Sequence, residues 1–145
     1  MRAISIAAIA AFLARAALAA PSISTFSPAK DATSIHPRAN VVMTFDEAVE
    51  AKPAMLIELR RVQTDYVISA VAAVSSFVTV SGATVTVMFP VSDLPTGDVY
   101  VSIEAGAFVA ASGASPFVGI TDKSWKFSID GETRLAATLS IARMR

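Results

Sequence analysis

The chain has 145 residues, of which 54% are hydrophobic and 17% charged, and its formal net charge is zero. This length allows one ordinary domain, and the apolar fraction is too high for a disordered chain. Residues 20–130 carry seven Lys and Arg against eleven Asp and Glu. That balance excludes nucleic acid as a partner, because phosphates require clustered basic side chains.

The first 19 residues are typical of a secretory signal peptide. Arg2 supplies a positive charge, residues 3–14 are apolar, and Ala17-Leu18-Ala19 fits a cleavage site after Ala19. A short membrane-tethering helix is the alternative, which the length of the apolar stretch disfavours. No later segment is long and apolar enough to be a transmembrane span. We therefore expect a protein that is secreted or held at the cell surface.

The chain contains no cysteine. Disulfides, thiol catalysis and zinc-thiolate sites are therefore excluded, and a domain of roughly 110 residues can bury a sufficient core without covalent bridges.

Alternation of apolar and polar residues dominates the chain after the leader and predicts short strands. The alternating segments are 22–28, 40–45, 54–61, 65–74, 76–80, 83–89, 99–104 and 124–129. The alanines of segment 65–74 leave a helix open as an alternative there. Ser81-Gly82 stands between two β-branched runs and predicts a two-residue hairpin loop with glycine in second position.

Seven or eight short strands separated by turn residues predict an all-β protein built as a β-sandwich. The inward-facing residues form the predicted core: Phe26, Val41, Met43, Phe45, Ile57, Val67, Val85, Val87, Val99, Val101, Ile103, Trp125 and Phe127. Segment 105–123 is a long loop whose Phe108 and Phe117 we expect to seal the sandwich. The tail, residues 131–145, could be a short helix, a frayed end or the beginning of a further unit.

Three carboxylates, Asp46, Glu47 and Glu50, follow the second predicted strand. They could form a solvated strand rim, a cation site or a catalytic group, and the rim is favoured because no calcium-type loop surrounds them. His36 is the one histidine of the chain and precedes a proline in a turn. It is interpreted as an exposed turn residue, since no second His or Cys could complete a zinc site and no nucleophile elbow is present.

The remaining polar and aromatic candidates also have structural interpretations. Asp93 and Asp98 are expected to cap turns, and Arg60-Arg61 to place charge on a strand edge that would otherwise aggregate. Trp125 alternates with the apolar residues of its strand and is placed in the core, whereas periodicity leaves Tyr100 at a sheet edge or a corner. We predict no catalytic, cofactor-binding or metal-binding residue, no cofactor and no enzyme activity.

Two stretches resemble bacterial Ig-like domains of the SbsA type, which occur in S-layer and other surface proteins. The first runs from Pro21 through Ser27-Pro28-Ala29 to Thr44-Phe45-Asp46-Glu47-Ala48-Val49, and resembles the opening of the family. The second matches the family's ending through Leu94, Pro95, Gly97, Tyr100, Gly106, Ala107, Phe108, Gly113, Trp125 and Phe127. The loop residues 110–114, Ala-Ala-Ser-Gly-Ala, lack the Asp and Asn that the family often has.

The resemblance implies an Ig-like domain over residues 20–130, between the signal peptide 1–19 and the tail 131–145. It also implies a non-enzymatic structural or adhesive module at the cell surface, whose partner is a cell-envelope polymer or another surface protein. Two further hypotheses compete with this one. A carbohydrate- or polymer-binding module would need exposed aromatics such as Trp125 and Tyr100, and a small hydrolase would need His36 to act with the acidic residues.

Overall fold

The computed structural model describes residues 19–113 and 115–130. The predictions for the signal peptide up to residue 18, and for the tail 131–145, therefore lie outside the described residues. Within them the chain forms ten strands and no helix, and so no helix that could cross a membrane. The strands are β1 Ile23–Ser27, β2 Val41–Phe45, β3 Val49–Ala51, β4 Leu56–Arg61, β5 Val67–Ala72, β6 Val78–Ser81, β7 Thr84–Val87, β8 Gly97–Ile103, β9 Phe108–Ala110 and β10 Lys126–Ile129.

The strands form two antiparallel sheets of four strands each and a two-stranded ribbon. The first sheet has the order β1-β2-β7-β6, the second β10-β8-β4-β5, and the ribbon pairs β3 with β9. The first order is that of the A-B-E-D sheet of an immunoglobulin domain. The second is that of G-F-C with a fourth strand, β5, added at its edge. The predicted β-sandwich, and its Ig-like form, are confirmed.

The core lies between the two sheets because each strand points alternate side chains to the same face. In β2, for example, Val41, Met43 and Phe45 are buried, while Val42 and Thr44 between them are half-buried. Eleven of the thirteen predicted core residues are buried. The two that are not lie on edge strands, where the sandwich offers less cover. Phe26 of β1 is half-buried against the core, and Val67 of β5 is half-buried opposite Arg60.

Segment 65–74 forms the strand β5, so its helical alternative is wrong. The loop of the hairpin between β6 and β7 lies one residue later in the chain than the prediction placed it. Ser81 pairs with Thr84, so the loop is Gly82-Ala83 and glycine takes the first position, with φ of 60°. A positive φ at the first loop residue is the requirement of a type II′ turn, which favours glycine there.

The ribbon β3–β9 is absent from the prediction because both strands have only three residues. β9 arises within the segment predicted as a loop, and its Phe108 is fully buried. The ring of Phe45 lies 5.5 Å from that of Phe108 and 5.2 Å from that of Phe117. The expectation that Phe108 and Phe117 seal the sandwich is therefore confirmed.

Candidate functional site

The three carboxylates after β2 each have a different partner. Asp46 accepts hydrogen bonds from the backbone nitrogen of Ser22 at 3.0 Å and from its hydroxyl at 3.1 Å. The Ser22 amide is the main reason that the pKa of Asp46 is lowered. Asp46 therefore ties the start of β1 to the end of β2.

The other two members of this acidic group reach different parts of the fold. Glu47 accepts a hydrogen bond from the Ser112 hydroxyl at 3.3 Å, and Glu50 lies 4.0 Å from the Lys52 ammonium. Glu50 belongs to the strand β3, whereas Asp46 and Glu47 lie in the connection between β2 and β3. Among residues 19–113 and 115–130, no three His, Asp or Glu side chains converge as a metal site would require.

His36 lies in an exposed turn, as expected. Its Nδ1 accepts a hydrogen bond from the backbone nitrogen of Arg38 at 3.0 Å. Among the described residues, no hydrogen bond or ion pair joins His36 to the carboxylates that follow β2. The structure thus does not assemble the pair that the hydrolase hypothesis needs.

The two aspartates expected to cap turns make longer-range contacts. Asp93 pairs with the Arg38 guanidinium at 3.1 Å. Asp98 lies within β8, not in a turn, and its carboxylate accepts a hydrogen bond from the Ser128 hydroxyl on β10. The expectation for Asp98 is wrong because β8 begins at Gly97, before the apolar alternation becomes visible in the sequence.

Charged side chains come together on the outer face of the second sheet, around Tyr100. We call Glu58, Arg60, Asp65, Tyr100 and Lys123 the Tyr100 cluster. Arg60 of β4 is paired in register with Tyr100 of β8. β4 lies inside its sheet, so the expectation that Arg60 and Arg61 protect an edge is wrong.

Asp65 is the centre of this cluster. Its carboxylate accepts a hydrogen bond from the Tyr100 hydroxyl at 2.7 Å and lies 3.2 Å from the Lys123 ammonium. Its carbonyl accepts a hydrogen bond from Arg60 at 3.2 Å, and Arg60 in turn pairs with Glu58 at 3.0 Å. Asp65 has φ of 58°, a conformation that aspartate tolerates better than most residues, in the turn between β4 and β5.

Electrostatics in the Tyr100 cluster favour a charged Asp65 and a neutral Tyr100. The Tyr100 hydroxyl, followed by Lys123, lowers the pKa of Asp65. Burial, followed by the hydrogen bond to Asp65, raises the pKa of Tyr100. The cluster therefore fixes the β4–β5 turn onto β8 with groups that satisfy one another.

Sequence reasoning missed Asp65 and Lys123. A contact between a turn residue and the distant strand β8 produces no local pattern in the sequence. The position of Asp65 between two alternating segments indicates only that a turn is expected there. Lys123 reaches Asp65 from the far end of the loop before β10, and no periodicity connects the two.

The two aromatics that a carbohydrate platform would use are both buried. Trp125 is fully buried, its indole nitrogen donates a hydrogen bond to the Pro28 carbonyl at 2.8 Å, and its ring meets Phe26 edge to face at 4.9 Å. Tyr100 is 5% exposed. The core position of Trp125 is confirmed, Tyr100 lies in the middle of β8 and not at an edge, and a sugar-binding strip made of these two residues is excluded.

Similarity to known proteins supports the Ig-like fold described above. A family model described as "Bacterial Ig-like domain" matches residues 18–129. The structure is also similar to the crystal structure of CopC from Methylosinus trichosporium OB3b, with a TM-score of 0.54 and 17% identity over 76% of this chain and 93% of that one. At this identity the likeness concerns the fold alone. No curated protein matches the chain.

Proposed function

Since the chain belongs to the family of bacterial Ig-like domains, we propose that it is a secreted or cell-surface module with a structural or adhesive role and no catalysis. The main support for this proposal is the set of contacts that the polar side chains make. Within residues 19–113 and 115–130 they connect strands and turns of the sandwich to one another, and the groups of the Tyr100 cluster likewise satisfy one another between β4, β8 and the turn before β5.

Three contacts illustrate this use. Asp46 joins β1 to β2 through Ser22, Asp98 joins β8 to β10 through Ser128, and Asp65 joins the β4–β5 turn to Tyr100. Each contact stabilises the fold between elements far apart in sequence. A spacer or adhesive unit needs such rigidity, whereas catalysis needs groups that converge on one substrate atom.

The finer parts of the proposal rest on the sequence. We assign the domain to residues 20–130, after a signal peptide of residues 1–19 that is removed during export. Its subtype is the SbsA-type module, and its partner a cell-envelope polymer or another surface protein. The order and spacing of the motifs that begin at Pro21 and end at Phe127 support this subtype.

Export is the first part to test. The gene is expressed in a bacterial host, the cell fractions are separated, and the N-terminus of the recovered chain is determined by mass spectrometry. We expect a chain outside the cytoplasm that begins at Ala20. A chain that remains in the cytoplasm with Met1 in place would overturn the proposed function.

Adhesion is tested with the exported chain by co-sedimentation with isolated cell envelopes. Saturable pelleting that soluble envelope fragments compete away identifies an adhesive module. Competition by free sugar alone would instead identify a polymer ligand. A folded chain that stays in the supernatant leaves the spacer role.

A further inference from the structure

A groove opens at the end of the sandwich where β10 ends. It lies between the β1–β2 connection and the β7–β8 connection, and its volume is about 240 Å³. Most of the residues that line it are apolar: Pro37, Ala39, Met88, Phe89, Val91 and Leu94. Met88 is 55% exposed, and Phe89 and Val91 are half-buried. Residues 19–113 and 115–130 therefore leave apolar side chains uncovered at this end of the sandwich.

This groove suits the side chains of a peptide better than a small molecule. Sites for drug-sized ligands usually have volumes of about 300–1,000 Å³ and polar groups that converge on the ligand. The groove is smaller than that, and its charged lining residue, Arg38, is already paired with Asp93 at 3.1 Å. Aliphatic side chains are the groups that it can receive.

A second cleft, beside β10, is less suited to a ligand. Asp31, Asp98 and Lys126 supply its charges. The Lys126 ammonium lies 3.9 Å from the Asp31 carboxylate, and Asp98 accepts a hydrogen bond from the Ser128 hydroxyl. These groups are partners of one another, so the cleft carries no argument for a further partner.

The end of β10 leads the rest of the chain to the apolar groove. The amide of Asp130 donates a hydrogen bond to the Ile35 carbonyl at 2.8 Å. Pro37, in the wall of the groove, is two residues beyond Ile35 and so at most about 7 Å further along the chain. The five residues that follow Asp130 can span up to about 17 Å. The tail, residues 131–145, therefore reaches the groove by Leu135.

The sequence of the tail fits the groove in polarity and in charge. Its apolar residues at every second position are Leu135, Ala137, Leu139 and Ile141. An extended segment with this pattern has one apolar face. The tail also carries three Arg against one Glu, whereas residues 20–130 carry seven Lys and Arg against eleven Asp and Glu. The opposite net charges attract the tail to the rest of the domain.

We propose that the tail, residues 131–145, docks into this groove of its own chain and covers Met88 with Leu139 and Ile141. The tail is chosen over a segment of another molecule because a short connection gives it an effective concentration of millimolar order. The inference goes beyond the proposed function and does not depend on it.

Oxidation of Met88 by hydrogen peroxide tests the docking in the whole chain, as cells process it. An exposed methionine is converted to the sulfoxide, and a cover over its sulfur slows the reaction. Mass spectrometry of the peptides measures the rate at each methionine. Met55, half-buried near Gly106 at the opposite end of the sandwich, is the internal reference. We expect Met88 to react several times faster in Leu139→Asp than in the wild type, and Met55 to react equally in both.

The expected effect of Leu139→Asp follows from the loss of one buried leucine. That loss should shift the docking equilibrium at least about tenfold toward the released tail. Ser140→Asp is the matched control, because it adds the same charge one residue later, on the other face of the alternation. It should leave Met88 protected. Equal oxidation of Met88 in the wild type and Leu139→Asp, or an equal increase in both variants, overturns the inference.

A spin label locates the tail directly. The natural chain has no cysteine, so Ser92→Cys on the exposed rim of the groove provides a single site for a nitroxide. In NMR spectra of the whole chain, this label should broaden the amide signals of residues 135–141, and Leu139→Asp should reduce the broadening. The same label on Ser81→Cys, exposed beside the β6–β7 hairpin at the opposite end, should leave those signals sharp. Broadening that Leu139→Asp does not reduce contradicts the docking.

Protein concentration separates the tail of the same chain from that of a second copy. Docking within one chain should protect Met88 equally at all protein concentrations. Protection that increases with protein concentration overturns the inference, because a second molecule would then fill the groove.

Discussion

Gly119 lies so close to the backbone of β8 that the fold leaves no room for a side chain there. It has φ of 84°, and a Cβ there would lie 2.7 Å from both the backbone nitrogen of Ala105 and the carbonyl oxygen of Ile103. Real Cβ atoms do not approach backbone so closely. Gly119→Ala must therefore push the loop away from β8, and this loosens the bridge in which Ile103 and Ile120 exchange two backbone hydrogen bonds of 2.8 Å.

The magnitude follows from two contributions. A left-handed conformation costs a residue with a Cβ about 1–2 kcal/mol. Each backbone hydrogen bond that is lost removes about 0.5–1.5 kcal/mol more. With both hydrogen bonds lost, we expect Gly119→Ala to lower the free energy of unfolding by about 2–5 kcal/mol, which is a large part of the roughly 5–15 kcal/mol typical of a domain.

Gly82→Ala is the matched control for the backbone conformation. Gly82 has φ of 60°, but no atom lies within 4 Å of a Cβ placed there. This variant should lose only the conformational part, about 1–2 kcal/mol. Urea unfolding of the whole chain, followed by circular dichroism, measures both. Equal losses for the two variants would refute the reasoning, because the close contact at Gly119 would then carry no energy.

Three further predictions concern the polar cluster and the core. Tyr100→Phe should lower the melting temperature by a few degrees, because the hydrogen bond to Asp65 is lost, whereas Tyr66→Phe on an exposed ring should not; similar shifts for both would contradict the role of the cluster. The pKa of Asp65 is lowered from 3.8 in the fold, so its stabilisation is present above that value and is lost as the pH falls below it. The denaturation midpoint should therefore decline less steeply in acid for Tyr100→Phe than for the wild type, and parallel curves would refute this. Trp125→Phe should destabilise by about 2–4 kcal/mol, because the Pro28 carbonyl loses its donor and a void replaces part of the indole; unchanged unfolding in urea would contradict it.

Much of the sandwich is determined by local sequence. The alternation Val41, Met43, Phe45 and the alternation Trp125, Phe127, Ile129 each specify which face of a strand is buried, because successive side chains point to opposite sides. Proline and glycine mark most of the connections between strands.

The parts that could not be predicted depend on contacts between distant segments. β3 and β9 have three residues each and acquire strand conformation by pairing with one another. Neither carries enough alternation to be recognised alone. The hairpin loop Gly82-Ala83 differed by one residue from the prediction, because the pairing of Ser81 with Thr84 sets its limits.

The sequence by itself determined that this chain is an all-β sandwich with inward-facing Val41, Met43, Phe45, Trp125 and Phe127, since these follow from a period of two residues. Only the tertiary structure decided that Asp65 meets Tyr100, that Gly119 lies close to the backbone of β8, and that β5 is the last strand of its sheet. The physical reason is that periodicity fixes which face of a strand is apolar. Strand order, register and the residues that meet across them depend on how all the strands pair at once.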